Sequence, residues 1–148
     1  MKKQNKPGFR VGPDTNVIIS AELSKKRNSA NRDFIDHWLK KEFIVLFSDD
    51  TLLEYAIKLR EKDIPDQKIV EFLANLFILG QKVEITSYHL QYYPDDEDDI
   101  CFVLCAENGN ATHLVSYDKH LLILKGKFKF EILSIVPFLK ELQSSQVS

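Results

Sequence analysis

Four acidic residues lie where the sequence predicts strands to give way to turns or helices. These residues are Asp14, Glu54, Asp99 and Asp118. The segment Val11–Ser20 is typical of a strand end, a tight turn and an apolar helix, and its aspartate lies at the turn. Of the other three acids, one follows the apolar run Phe43–Ser48, one opens an apolar helix and one follows Leu114–Tyr117. Because ligands bind at the carboxyl ends of the strands in open α/β sheets, this placement predicts one shared acidic pocket.

A pocket of this kind has a defined chemistry. Carboxylates within about 4–6 Å raise one another's pKa unless a cation lies between them. Oxygen ligands without a histidine or cysteine cage suit hard ions such as Mg²⁺ or Mn²⁺. Ions held in this way can activate water and stabilise an in-line displacement at phosphorus. The acids therefore indicate metal-assisted chemistry on a phosphate ester.

Each acid also has a structural alternative. Asp14 can cap the helix that follows it, and Glu54 fits a capping box that begins at Thr51. The run Asp95–Asp99 can be a solvated helix cap, and Asp118 can be a turn residue. Four independent caps need not converge at the same edge of a sheet, so their joint placement favours the single pocket.

Predicted strands and helices alternate along the chain, without internal repeats. The predicted strands cover residues 9–13, 43–47, 82–86, 112–117 and 129–135. This alternation favours an α/β fold, with three α/β/α layers around a central, mostly parallel sheet. We expect one domain over residues 9–142, with flexible tails at 1–8 and 143–148 and a last helix from Pro137 to Leu142.

The composition is ordinary for a soluble globular protein. The 148 residues are 44% hydrophobic and 28% charged, with a net charge of −2, so composition alone does not indicate a nucleic-acid ligand. Two cysteines four residues apart, Cys101 and Cys105, do not form the usual disulfide framework and favour a reduced, cytoplasmic setting. No apolar run is long enough to cross a membrane, and no signal peptide is apparent.

Four segments of the chain, in order, resemble the motifs of the PIN-domain nucleases. They are Asp14–Ser20 (DTNVIIS), Ser48–Glu54 (SDDTLLE), Asp98–Ala106 (DDICFVLCA) and Leu114–Leu122 (LVSYDKHLL). The resemblance covers residues 9–142 and looks closest to the branch that contains toxin components of toxin–antitoxin systems. It implies the fold of that family, an RNA substrate, an antitoxin partner and a homodimer.

The resemblance also implies roles for single residues. The acidic set Asp14, Glu54, Asp99 and Asp118 would be both catalytic and metal-binding, with Mg²⁺ or Mn²⁺ as cofactor. The supporting residues would be Thr15, Asn16, Asp98 and Ser116. Asp98 or Asp96 is an alternative ligand to Asp99, since this helix start is aligned by counting back from Ala106. The implied activity is that of a metal-dependent endoribonuclease.

Two other functions are alternatives to this activity. A PIN-like module without catalysis would keep the fold and act through protein or RNA partners. An aspartyl-phosphate hydrolase of the haloacid dehalogenase type needs a second aspartate two residues after its nucleophile. Asn16 stands at that position relative to Asp14, which counts against the hydrolase.

Further side chains have a binding interpretation beside a structural one. Either phosphate contacts or simple solvation as a short charge run is predicted for Lys25, Lys26 and Arg27. Stacking on unpaired bases, or packing at the base of a loop, is predicted for Tyr88, Tyr92 and Tyr93. Either a partner surface or the core is predicted for Phe34, Trp38, Phe72 and Phe77. Zinc ligation by Cys101, Cys105 and His113 is conceivable, but structural zinc sites usually have four ligands, and core packing explains the thiols better.

Overall fold

The structure is a computed structural model that describes residues 8–24 and 29–147. The described residues form five strands, which are β1 (Arg10–Pro13), β2 (Ile44–Phe47), β3 (Gln81–Lys82), β4 (His113–Val115) and β5 (Glu131–Leu133). They also form seven α-helices, which are α1 (Thr15–Leu23), α2 (Ala30–Leu39), α3 (Asp49–Glu61), α4 (Asp66–Leu79), α5 (Ile100–Asn108), α6 (Lys119–Leu122) and α7 (Ile135–Val147). The strands make one sheet in the order β3-β2-β1-β4-β5, and every neighbouring pair is parallel.

Both faces of the central sheet are covered. All three residues of β4 are buried, and consecutive side chains of a strand point to opposite faces. On one face α5, which is apolar on nearly every side, packs against β1, β2 and β4. The predicted α/β fold with helices around a parallel sheet is therefore confirmed.

Strand β1 ends at Pro13, directly before the first acid. Pro13 pairs with Val115 of β4, although proline cannot donate to a sheet ladder. The next residue supplies the donor, since Asp14 N donates to Val115 O at 3.0 Å. The Pro13 carbonyl accepts a hydrogen bond from the buried Tyr55 hydroxyl. The strand thus reaches the sheet edge and delivers the Asp14 side chain there.

All five strands are shorter than the sequence predicts, β3, β4 and β5 by three residues or more, and the last helix is longer. Both β3 and β5 are edge strands, which are commonly short in native sheets. Helix α7 begins at Ile135 and continues to Val147, beyond the predicted end at Leu142. Its last turns are tied down, because Gln146 Nε2 donates to Glu42 Oε1 at 2.6 Å.

Helix α4 ends at Gly80, and the physical reason for a glycine there is close packing. Gly80 has an ordinary φ of −86°. A Cβ atom there would lie 2.6 Å from Leu76 O and 3.0 Å from Val45 O. The glycine is therefore needed where the end of α4 approaches β2.

Core packing accounts for most of the aromatic residues considered for a partner surface. Phe34, Trp38 and Phe72 are buried, and Trp38 packs edge-on against Phe72 with ring centroids 5.9 Å apart. Phe77 is 63% exposed. Within residues 8–24 and 29–147, no helix combines the length and the apolar composition needed to cross a membrane.

Candidate active site

Asp14 lies at the carboxyl end of β1, where it caps α1 and also faces a neighbouring strand. Its Oδ1 accepts a hydrogen bond from Val17 N at 3.1 Å, as an N-cap residue does. Its Oδ2 accepts a hydrogen bond from the Ser116 hydroxyl. The side chain is 2% exposed. The capping alternative is therefore correct, and it coexists with placement at the sheet edge.

Ser116 connects the two strand ends that carry aspartates. It follows β4 and is fully buried. Its Oγ donates to Asp14 and accepts a hydrogen bond from Asp118 N at 2.8 Å. Asp118 caps the short helix α6 by accepting from His120 N at 2.8 Å. The hydroxyl thus fixes the carboxylate of one strand relative to the backbone of the next.

Asp99 approaches the same place from α5. It is the last residue of a 3₁₀ turn, Glu97–Asp99, that leads into the helix. Only 8% of the residue is exposed. Its Oδ2 atom is buried and has no hydrogen-bond partner among the described residues. Because a buried polar atom without a partner is costly, this oxygen marks a position at which a cation would be stabilised.

Glu54 lies in the second turn of α3 and is not part of a capping box. The cap of α3 is Ser48, whose Oγ accepts from Thr51 N at 3.2 Å, while Thr51 Oγ1 accepts from Ser48 N at 2.8 Å. The predicted box from Thr51 to Glu54 is therefore wrong, because the helix begins one turn earlier. Glu54 is left half-buried on the side of the helix that faces the other acids.

All four predicted acids line one cavity of about 280 Å³ at the carboxyl edge of the sheet. The lining residues are Asp14, Thr15, Asn16, Ile19, Glu54, Lys58, Glu61, Lys62, Asp96, Asp98, Asp99, Phe102 and Asp118. Lys58 of α3 and Lys62, which follows the end of that helix, belong to this wall and were not predicted. They follow Glu54 at spacings of four and eight residues, which places all three on the same side of a helix. This spacing in the sequence could have predicted that the two lysines line the same pocket as Glu54.

Burial and mutual repulsion raise the pKa values of Asp14, Glu54 and Asp99. Burial raises the pKa of Asp14 to about 6, against the lowering effect of the Ser116 and Val17 hydrogen bonds. Burial, followed by the adjacent Asp118 carboxyl, raises the pKa of Asp99 to about 8. Burial and the nearby Asp98 also raise the pKa of Glu54. Without a cation, the pocket therefore favours a proton on Asp99 at neutral pH, and on Asp14 below a pH of about 6.

The tightest group of oxygens differs slightly from the predicted set. Ligand atoms of Asp96, Asp99 and Asp118 lie within 4.8 Å of one another. Asp98 points to a different partner, since its Oδ2 lies 3.6 Å from Lys58 Nζ and its side chain is 60% exposed. Asp14 and Glu54 share the cavity with this group without belonging to it. In this structure Asp96 is a candidate ligand in addition to Asp99, whereas the sequence indicated Asp96 as an alternative to Asp99.

Some of the other predicted residues line the cavity, and others lie outside the described residues. Thr15 is buried, with an Oγ1 atom that has no partner in the described chain, and Asn16 is exposed on the cavity wall. Lys25, Lys26 and Arg27 lie outside the described residues, as do residues 1–7.

The predicted aromatic and thiol clusters have structural partners. Tyr93 Oη accepts from Leu90 N at 3.1 Å, and Tyr92 packs edge-on against Phe128, whereas Tyr88 is 67% exposed. Burial raises the pKa of Cys105 to about 12. This thiol packs with Leu46 and Val83, apart from His113, so the structure does not bring together the considered zinc ligands.

Comparisons with known proteins agree with this architecture. The family model described as "PIN domain" matches residues 10–120. A chain of the crystal structure of VapBC2 from Rickettsia felis, bound to a DNA fragment from the promoter, is similar in fold. It has 15% sequence identity and a TM-score of 0.55, and the match covers 84% of this chain and 98% of that chain. No curated protein matches the sequence.

Proposed function

Because this chain belongs to the PIN domain family, we propose that it is a divalent-metal-dependent endoribonuclease that hydrolyses RNA phosphodiester bonds. The observation that supports this most is the buried, unpartnered Oδ2 of Asp99 in a cavity lined by four predicted acids. Such a group of carboxylate oxygens suits Mg²⁺ or Mn²⁺. We assign the catalytic and metal-binding roles to Asp14, Glu54, Asp99 and Asp118.

The donor set fits a hard divalent ion. Every ligand atom in the tight group is a carboxylate oxygen, and in the cavity wall around it there is no histidine or cysteine among the described residues. Asp99 and Asp118 would hold the ion together with Asp96, which belongs to the same tight group, while Asp14 and Glu54 line the cavity around it. When bound, the ion would activate a water molecule and stabilise the charge that develops on the phosphate.

The remaining groups of the chain have positioning roles in this proposal. The Ser116 hydroxyl holds Asp14 Oδ2, so that this carboxylate keeps its orientation while its other oxygen caps α1. Lys58 and Lys62 on the wall supply positive charge to an otherwise acidic cleft and would attract the phosphate backbone. Single-stranded RNA is the favoured substrate, because proteins generally reach the bases and backbone of RNA in unpaired regions.

A cleavage assay tests the proposal. We expect the protein to cut single-stranded RNA internally with Mn²⁺ or Mg²⁺, to lose this activity in chelator, and to cut single-stranded DNA of the same sequence much more slowly. RNA fragments resolved on a denaturing gel give the readout. Metal-independent binding of RNA without any cleavage would instead support the non-catalytic module and overturn the nuclease.

Partners follow from the same family membership. The VapBC2 structure is a complex bound to promoter DNA, which supports an antitoxin partner for this chain and a role as the toxin of such a pair.

Apolar side chains are exposed on α3 and α4, where a partner or a second copy would cover them. The residues concerned are Leu53, Ile57, Val70, Phe77 and Ile78. A cytoplasmic location suits the two free cysteines.

We expect a homodimer through these exposed side chains, because α3 and α4 pack against each other and exposed apolar patches mark interaction sites. Replacing Phe77 with Glu should shift the protein toward monomer, because the side chain is 63% exposed. Its ring also packs edge-on against Phe47, with centroids 5.6 Å apart, so circular dichroism verifies that the variant folds. Sedimentation velocity at micromolar concentration measures the change. The exposed polar residue Gln67 on the same helix gives a control, as Gln67→Glu. A wild-type protein that stays monomeric at high micromolar concentration would contradict the homodimer.

A further inference from the structure

At the amino edge of the sheet, on the side away from the acidic cavity, three side chains with metal-binding groups converge. His113 begins β4 and Glu131 begins β5, and the two residues are paired in register. Glu141 reaches them from α7. His113 Nε2 lies 2.6 Å from Glu141 Oε2 and 3.8 Å from Glu131 Oε2. Ligand atoms of all three lie within 4.8 Å of one another.

We propose that His113, Glu131 and Glu141 form a second metal site, which binds a transition ion such as Zn²⁺ and fastens α7 to the sheet. This site is separate from the acidic cavity, because β4 carries His113 at one end and leads into Ser116 at the other. Three residues of extended strand separate the two positions by roughly 10 Å.

The imidazole is already fixed in the orientation of a ligand. Its Nδ1 lies 2.7 Å from Thr112 Oγ1, which is itself hydrogen-bonded to the backbone of Arg10. The ring packs against Phe9 and Phe138, with centroid distances of 4.5 and 5.3 Å, and the residue is only 5% exposed. Metal-bound histidines typically use one nitrogen as ligand while the other is hydrogen-bonded in this way. Nε2 is therefore the nitrogen that faces the carboxylates.

The charges at the cluster favour a cation. Two carboxylates face one buried imidazole, at 2.6 and 3.8 Å from its Nε2. Lys129 and Lys140 line the adjoining cavity, and Lys125 acts on both carboxylates from a distance. In the described chain, the ion pairs of the two glutamates are those with His113. A divalent ion would neutralise both carboxylates at once.

The mixed ligand set distinguishes this site from the acidic cavity. One imidazole nitrogen with two carboxylate oxygens suits Zn²⁺ and similar transition ions better than Mg²⁺. The adjoining cavity of about 700 Å³ leaves room for water as a fourth ligand. Because α7 supplies Glu141 while the strands supply the other two residues, an ion here would connect the last helix to the sheet.

Zinc binding can be measured without reference to nuclease activity. The Asp99→Asn protein serves as background, since it weakens the acidic cavity. We expect calorimetry with Zn²⁺ to give one site per chain, and Co²⁺ to give a visible absorption band at the same stoichiometry. Adding Glu141→Gln or Glu131→Gln should weaken Zn²⁺ binding at least about tenfold, by analogy with losses at metal sites. Glu107→Gln, at an exposed glutamate outside the cluster, should leave the affinity unchanged.

The same variants determine whether the proposal fails. An absence of Zn²⁺ binding in the Asp99→Asn background would overturn the site. Equal affinity in the Glu141→Gln, Glu131→Gln and Glu107→Gln proteins would also overturn it. Both glutamate side chains are partly exposed, at 39% and 55%, so these variants are expected to fold, and circular dichroism verifies this. Neither result depends on whether the protein cleaves RNA.

Discussion

Replacing Asp99 with Asn is expected to lower metal-dependent RNA cleavage about a thousandfold or more. The asparagine keeps the shape of the side chain but removes the charge beside the buried Oδ2 position. Charge stabilisation by a bound metal contributes several kcal/mol to such a transition state, and each 1.36 kcal/mol is a factor of ten in rate. The measurement is the single-turnover rate with saturating Mn²⁺ on a defined RNA.

A matched variant separates loss of the site from general damage. Asp66→Asn removes a charge from the first turn of α4, outside the cavity, and should retain the wild-type rate. Asp14→Asn should behave like Asp99→Asn, while its side-chain oxygen still caps α1. An Asp99→Asn protein that cleaves RNA at the wild-type rate would refute the role assigned to this carboxylate.

The metal-free protein is expected to lose stability as the pH rises from 5 to 8.5. The pKa values of Asp14 and Asp99 are raised in the folded state, to about 6 and about 8, from 3.8. The folded protein therefore binds more protons than the unfolded chain between these values. The stabilisation from this proton binding is complete below pH 3.8 and is lost as the pH rises through about 6 for Asp14 and about 8 for Asp99.

The expected loss in the free energy of unfolding is a few kcal/mol. Between pH 5 and 8.5 about one pKa unit is titrated at Asp14 and about three at Asp99, and at about 1.4 kcal/mol per unit these set an upper limit of about 6 kcal/mol. The shared titration of Asp99 with Asp118 reduces this value. Urea unfolding in chelator at several pH values measures it. Asp99→Asn should flatten the profile and be at least as stable as wild type at pH 8, whereas Asp66→Asn should keep the slope.

Metal should reverse this loss in the wild-type protein. An ion that binds only the folded state adds about 2.7 kcal/mol at a concentration of 100 times its Kd. Mn²⁺ should therefore stabilise the wild type at pH 8 and stabilise Asp99→Asn much less. If Asp99→Asn lowers the melting temperature in chelator and metal adds nothing to wild type, the acid has a structural role and the proposed ion site is wrong.

Local sequence patterns were sufficient to locate most of the cavity. The apolar runs and turns place Asp14 and Asp118 after strands, and Asp99 before an apolar helix, because these signals depend on residues close in the chain. The structure brings all of these residues to one cavity, together with Glu54. Local patterns did not determine which hydroxyl would cap α3, because Ser48 and Thr51 are both good caps, and only the packed structure shows that Ser48 begins the helix.

By itself, the sequence determined the α/β alternation, which follows from short-range periodicity and turn chemistry, and it indicated the four acids as candidates. Only the tertiary structure decided which polar atoms would remain without partners. Asp99 Oδ2 lacks one because α5 carries it into a site surrounded by other carboxylates. The convergence of His113 with Glu131 and Glu141 depends on the register of β4 with β5 and on the length of α7. Strand register and helix docking are set by long-range packing, which periodicity within one segment does not contain.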